Sequence, residues 1–317
     1  MMTKQFWTAA LLTLGSYTSL QAQEQNYVEL HYNFAANQQF ELNMESRSET
    51  YMTVNDVMQR TTRDFNGKMN VTVSSANRDV TVLTWKYQDI RFNYNSKNVN
   101  ALVDARIAND KEPLTAALAK IVDKPFTVEI QPTGIINKVD DLDALIREAS
   151  TAFASLKEDD KKAYEKLLAD QFGTQAFRSW LEQLLVIYPA HGIKTGTQWE
   201  ESVPLRTGLV GRTDLYWNLQ TWDSQTAKIA GTAKIKTDKL EVLTLDDDIK
   251  ATAEINGDMQ SNYLINRESG LPSICIQTTE MKGDYTYQIN KKKRIKNEIK
   301  VPVKVITNAS YKFKQIK

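Results

Sequence analysis

The sequence predicts an α+β protein: a strongly twisted antiparallel sheet, at its most closed an open half-barrel, with a central helical insertion packed on its concave face. Three observations carry that expectation. Period-two alternation of β-branched and aromatic residues fills the chain on both sides of its centre. The stretch 140–189 is instead apolar at i, i+3 and i+4, the spacing of a buried helix face. Neither flanking β half can cover its own apolar face, so the helices are expected to serve both. The expected organisation is therefore one domain over 23–317, divided into a β half at 23–139, helices at 140–189 and a second β half at 190–317.

The chain opens on Lys4, an apolar run from Phe6 to Leu14 and a small residue at Ala22. That order reads as an export signal over 1–22, with cleavage after Ala22 and a mature chain from Gln23. The run is shorter than the ~20 apolar residues a membrane-spanning helix needs, and no later stretch is long enough. The expected location is periplasmic or secreted, and with Gln23 rather than Cys directly after the cleavage site no lipid anchor is expected. A hydrophobic fraction of 41% and a charged fraction of 25% are those of a globular protein. The net charge is +1, and losing Lys4 brings it to zero, which argues against a general nucleic-acid binder. Cys275 is the single cysteine, so no intramolecular disulfide can form; between Ile274 and Ile276 it reads as a buried strand residue.

The elements follow in order. Val28, Leu30 and Tyr32 alternate, as do Phe40, Leu42 and Met44, then Val71 and Val73, Val80 and Val82, Trp85 and Tyr87, and Ile90, Phe92 and Tyr94. Asn66-Gly67 and Ser75-Ala76-Asn77 read as breaks between strands. Glu45 to Asp64 is dominated by Thr, Ser, Gln and Arg, and reads either as two long polar strands or as a flexible hairpin. Pro113 opens a short helix carrying Leu114, Ala117, Leu118 and Ile121. Phe126, Val128 and Ile130 form a further strand before the turn Pro132-Thr133-Gly134.

Three helices are then expected. The first carries Leu142, Leu145, Ile146, Ala149, Phe153 and Leu156, with Asp140, Asp141 and Asp143 at its start to cap free N–H groups. The second carries Tyr164, Leu167, Leu168 and Phe172 and stops at Gly173 in a left-handed conformation. The third starts at an N-cap, Thr174, carries Phe177, Trp180, Leu181, Leu184, Leu185 and Tyr188, and ends at Pro189. Strands resume at Trp199 and Val203, at Leu215, Trp217 and Leu219, and at Ala227, Ile229, Ala233 and Ile235. Ile249 to Ile255 alternate up to Asn256-Gly257, read as a hairpin turn. After Tyr263 and Ile265, a turn from Arg267 to Pro272 leads into the return strand with Ile274 and Ile276, and a basic alternating tail runs from Ile299 to Phe313.

The residues offer no catalytic, cofactor-binding or metal-ligating set. A catalytic thiol would have to be Cys275, which its isoleucine neighbours make structural. His31 and His191 are far apart in sequence, without the carboxylate or Cys spacing of a zinc site. Asp246-Asp247-Asp248 lacks the alternating acids and central Gly of a calcium loop and reads as a solvated turn. There is no G-x-S-x-G, phosphate loop or dinucleotide fingerprint. The basic segment 291–300, with Lys291 to Arg294, Lys296 and Lys300, reads as a soluble hairpin tip or edge guard; its functional alternative is contact with anionic lipid heads or polysaccharide. Phe153, Phe177, Trp180 and Leu184 are the candidate lining of any cavity between helices and sheet.

Three stretches carry a family resemblance: Gly196-Thr-Gln-Trp199, Phe126 to Ile135 (Phe-Thr-Val-Glu-Ile-Gln-Pro-Thr-Gly-Ile) and Tyr263 to Pro272 (Tyr-Leu-Ile-Asn-Arg-Glu-Ser-Gly-Leu-Pro). With the Gln-Ala-Gln cleavage site, the chain resembles an uncharacterised family of exported Bacteroidetes proteins, and distantly the curved-sheet folds of lipoprotein carriers. The resemblance implies a sheet that cups helices and assigns no site residue. Three functions stay open, in this order: a non-enzymatic envelope protein that binds or carries an apolar, lipid-like or envelope-derived ligand; a structural or assembly protein with envelope partners; and a hydrolase with an unrecognised site. An apolar cavity favours the first, a large exposed apolar patch the second, and a polar cleft with clustered acids or a His the third.

Overall fold

The computed structural model describes residues 27–97, 99–107, 109, 112–206, 208–238, 240–245, 249–292 and 294–316. The expected export signal and the Asp246-Asp247-Asp248 turn lie outside the described residues. The strands are β1 (Gln39–Val54), β2 (Val57–Ala76), β3 (Thr81–Asn95), β4 (Asn100–Asp104), β5 (Pro125–Ile130), β6 (Ile136–Asp140), β7 (Gln198–Leu205), β8 (Gly211–Trp222), β9 (Thr226–Thr237), β10 (Leu243–Thr244), β11 (Lys250–Asn266), β12 (Pro272–Tyr287) and β13 (Ile299–Gln315). The helices are α1 (Pro113–Ile121), α2 (Leu142–Ser150), α3 (Glu158–Phe172) and α4 (Thr174–Leu184), with a 3-10 turn at Thr151–Phe153. No helix among the described residues is long and apolar enough to cross a membrane.

Antiparallel pairing joins all 13 strands into one open sheet, in the order β6-β5-β3-β2-β1-β13-β12-β11-β9-β8-β7, with β4 on β3 and β10 on β11. This overturns the expected α+β fold with a central helical insertion. The protein is mostly antiparallel sheet, and its helices do not sit between two sheet halves. The outermost strands of the sequence, β1 and β13, pair along Phe40–Gln315 to Met52–Val303 and form the middle of the sheet. The middle of the sequence consequently falls at the sheet's two edges, and α2, α3 and α4 link β6 at one edge to β7 at the other. α1 from outside 140–189 packs on α2, so the helical layer is also larger than the expected segment. Local periodicity reports what each element is; it carries no information about which distant strand is its neighbour.

Alternation divides the strands into two faces. The inward positions hold the core, among them Phe40, Leu42, Met69, Val71, Trp85 and Phe92, while outward positions are charged and form cross-strand pairs such as Lys68–Glu41 at 2.9 Å and Lys304–Glu280 at 3.0 Å. One cluster gathers Leu205 of β7 with Ile235, Ile255, Val303 and, at its margin, Met52 of β1. Strands so far apart in the sheet order meet only if the sheet curls strongly.

Several local expectations change. Asn66-Gly67 and Asn256-Gly257 are not breaks but mid-strand positions of β2 and β11. There the missing side chain matters for close packing: a Cβ on Gly67 would sit 2.7 Å from the Phe65 ring, and one on Gly257 2.5 Å from Met281. Gly173 has φ −69° rather than a left-handed conformation and is itself the N-cap of α4. Its cap is supplied from elsewhere, because Asp143 Oδ1 of α2 accepts from the Thr174 N–H at 3.2 Å. Asp141 caps α2 with left-handed φ 71° and no side-chain bond, and Asp140 pairs with Lys138 at 2.8 Å. The polar stretch Glu45 to Asp64 is two long strands, β1 and β2, joined at Asn55-Asp56.

Candidate ligand cavity

Between the helices and the inward face of the sheet lies a cavity of about 420 Å³. Phe172, Phe177 and Trp180 form its helical wall, and Met44, Phe65, Met281 and Val305 are apolar contributions from the sheet. The helical wall is held by rings. Trp85 of β3 meets Phe177 edge-on at 5.5 Å and Trp180 at 6.5 Å, and Trp180 meets Tyr311 of β13 at 5.9 Å.

Strand register explains the polar part of the wall. In β1 the inward positions change from Phe40, Leu42 and Met44 to Ser46 and Ser48. Ser48 lies opposite Arg63 on one side and Thr307 on the other, and Thr307 lies opposite Thr279. One row across the concave face therefore reads Arg63, Ser48, Thr307, Thr279, all lining the cavity, with the Ser48 and Thr307 hydroxyls 2.9 Å apart. Arg63 Nη1 donates to Gln171 Oε1 of α3 at 2.8 Å, while its Nε is buried without a partner. Burial holds its guanidinium below the usual arginine value, opposed by the Tyr311 and Tyr94 hydroxyls. Burial also pushes the Tyr311 phenol up to about 12. At the C-terminal end of α4, the Gln183 carbonyl accepts from Gln277 Nε2 at 2.7 Å and from the Tyr263 hydroxyl at 3.3 Å, tying helix to sheet.

The four residues singled out from sequence are distributed as follows. Phe177 and Trp180 line the cavity. Phe153 is fully buried against Tyr164, ring centroids 5.4 Å apart, within the helical layer, and Leu184 is fully buried in the main core. Neither belongs to the cavity wall. Sequence reasoning missed Arg63, Ser48, Thr279 and Thr307. The available signal was the polar run Glu45 to Asp64, which becomes informative only once those strands are known to have a buried face.

Other candidates for chemistry are dispersed. Cys275 is buried in β12, and burial raises its thiol well above the ordinary value, which withholds the thiolate a nucleophile requires. His31, His191, Lys291, Lys292 and Arg294 are exposed. Among the described residues no group of three or more His, Cys, Asp or Glu is placed to hold a metal ion.

Fold and cavity together define a curled, open antiparallel sheet that encloses an amphipathic chamber beneath a helical cover. The chain belongs to the family of unknown function DUF6263, whose model matches residues 78–272, from the turn before β3 to the start of β12. No curated protein matches the sequence. Among solved structures the chain is similar to lipovitellin, at 10% identity and TM-score 0.45 over 90% of this chain and 26% of that one. It is also similar to an outer membrane channel from Pseudomonas putida F1, at 7% identity and TM-score 0.26 over 89% and 97% of the two chains. A third likeness is OpdQ of Pseudomonas aeruginosa, at 7% identity and TM-score 0.20 over 90% and 100%. The chain thus spans about a quarter of the lipovitellin chain. These overlaps are too low to carry a functional argument, which rests on the cavity itself.

Proposed function

We propose that the protein is a non-enzymatic binding or carrier protein that encloses an apolar or amphipathic small molecule between its helices and its sheet. The observation that carries this reading is the chamber walled by Phe172, Phe177, Trp180, Phe65 and Met281. Its volume of about 420 Å³ lies within the ~300–1,000 Å³ range of small-molecule sites, which are predominantly apolar with a few placed polar groups. The outward face supports a protein in water. A membrane barrel turns an apolar band outward and a polar lumen inward, whereas β1, β2, β12 and β13 turn Glu41, Lys68, Glu280 and Lys304 outward and most of their apolar residues inward, with Ile274 and Ile276 of β12 among the exceptions.

Trp180→Ala tests the reading. An apolar probe dye is expected to bind the wild-type chain, brighten and quench tryptophan emission, and the substitution is expected to change dye affinity. A chain that binds no such dye, or a variant indistinguishable from wild type, overturns the carrier reading.

We also propose export, on the strength of the apolar run Phe6 to Leu14 followed by Ala22. Mass spectrometry of the natively expressed protein is expected to find an N-terminus at or near Gln23; an intact Met1 refutes it.

A further inference from the structure

We propose that the cavity takes a single-chain amphiphile with an anionic head group, a carboxylate or a phosphate monoester, and that Arg63 is the residue that anchors it. The inference rests on the carrier reading and specifies its ligand. Arg63 is the cation of the cavity wall, on the inward face of β2 between Tyr94 of β3 and Ser48 of β1. A guanidinium has five N–H donors. Here one hydrogen bond, to the neutral side-chain oxygen of Gln171, engages it at 2.8 Å, and Nε is buried with no acceptor. Among the described residues the wall's one carboxylate, Asp170, is taken up by an ion pair with Lys166 one helical turn away. Among the described residues no acidic side chain acts on Arg63.

Arg63 is half-buried with its Nε shielded from water, and a cation so placed without a counter-ion is unfavourable; proteins that keep one normally pair it. The arrangement around Arg63 fits a partner that arrives from outside. Beside it the hydroxyls of Ser48, Thr307 and Thr279 continue the polar row, suited to the remaining oxygens of a head group. Beyond that row the wall includes Phe65, Phe172, Phe177, Trp180, Met281 and Val305, a surface suited to an alkyl chain, with Gln183 and Gln277 among its polar members. The volume of about 420 Å³ falls at the low end of small-molecule sites, which favours one chain over two.

The test compares hexadecanoate, hexadecyl phosphate and the uncharged hexadecanol as competitors of a bound apolar dye, on wild-type, Arg63→Gln and Arg63→Lys proteins. In the wild type at least one anion is expected to compete about tenfold or more better than the alcohol, the scale of a hydrogen-bonded charge. Arg63→Gln is expected to remove that advantage, read as the ratio of anion to alcohol competition within the same variant, and Arg63→Lys to keep part of it. Which anion wins separates a carboxylate from a phosphate head. Equal competition by the alcohol and both anions in the wild type overturns the proposal without any variant having to fold, and so does an anion preference that survives Arg63→Gln. Either result leaves the carrier reading standing, because the alcohol still binds. Failure of all three to displace the dye overturns both.

Discussion

The two ends of the long strands are filled in different ways. At one end, helices and sheet share a core of large side chains: Trp85, Phe126, Phe153, Phe177, Leu114 and Leu118 are buried there, and aromatic rings link helix to strand. At the other end no helix among the described residues contributes. Two smaller clusters take over, first Leu205, Leu209, Ile235, Ala253, Ile255 and Val303, then Ala251, Tyr287, Ile295 and Val301. The cavity lies between, since its wall draws Phe172, Phe177 and Trp180 from the first end and Leu205, Ile235, Met281 and Val305 from the second. A curled sheet can close part of its concavity with medium-sized side chains of its own. Where the walls stand too far apart, a second layer has to fill the space. The chamber is the zone that neither the helices nor the sheet's own side chains reach, and there the inward positions turn to Ser, Thr and Arg.

The most severe test of this comparison removes one large side chain at each end. Trp85→Ala should cost about 3–5 kcal/mol, because an enclosed aromatic is lost from a fully packed site. Trp85 is 2% exposed and meets Phe177, Trp180 and Phe313. Ile255→Ala should cost less, about 2 kcal/mol, since the smaller cluster around it adjoins the cavity and can relax into it. Urea unfolding of both variants measures the difference through their midpoints. Equal losses would mean that the strand-only end is packed as tightly as the helical end, and the comparison would fail.

Legibility in the sequence follows the same division. At the helical end, the stripes Leu142-Ile146-Ala149, Leu167-Leu168-Phe172 and Phe177-Leu181-Leu184 reveal α2, α3 and α4, because an apolar helix face repeats locally. Phe177 and Trp180 were legible as cavity candidates for that reason. The stripes do not give the bounds: α2 stops at Ser150 rather than Leu156, α3 already starts at Glu158, and α4 stops at Leu184 with Leu185 extended rather than at Tyr188. Strand order was not legible, because pairing β1 with β13 is a contact across almost the whole chain that alternation cannot express. The glycines misled for a related reason. Asn-Gly is a turn signal only when no neighbouring strand needs its room, and at Gly67 and Gly257 a Phe65 ring and a Met281 side chain occupy it. Arg63 was hidden more deeply. In a polar run a single Arg looks like a solvated residue, and only the Ser48–Arg63–Tyr94 register shows which way it faces.

A smaller effect decides whether the two ends behave as one unit. Glu182 of α4 is almost fully buried and takes an ion pair on each side: Arg178 Nε at 2.8 Å and Arg206 Nε at 3.4 Å. Arg178 also donates to the backbone carbonyls of Ile136 at 2.7 Å and Asn137 at 3.2 Å, both in β6. Arg206 follows Leu205, a member of the strand-only cluster. A single carboxylate thus clasps both edges of the sheet and both ends of the molecule to one helix. Breaking a fully buried pair costs about 3–5 kcal/mol and an exposed one about 0–1. The two arginines are 24% and 27% exposed, so Glu182→Gln should fall between, at about 1–3 kcal/mol. Its distinguishing signature is coupling. In a double-mutant cycle with Arg206→Gln, the two losses should be less than additive, because either change alone already releases the β7 edge. In native-state hydrogen exchange, Glu182→Gln should speed exchange in β6 and β7 together. Full additivity, with β6 protection unchanged, would show that the helices cover the sheet without clasping its edges. The strand-only end would then stand on its own packing, and the chamber would be a gap between independent parts rather than a space held open by one.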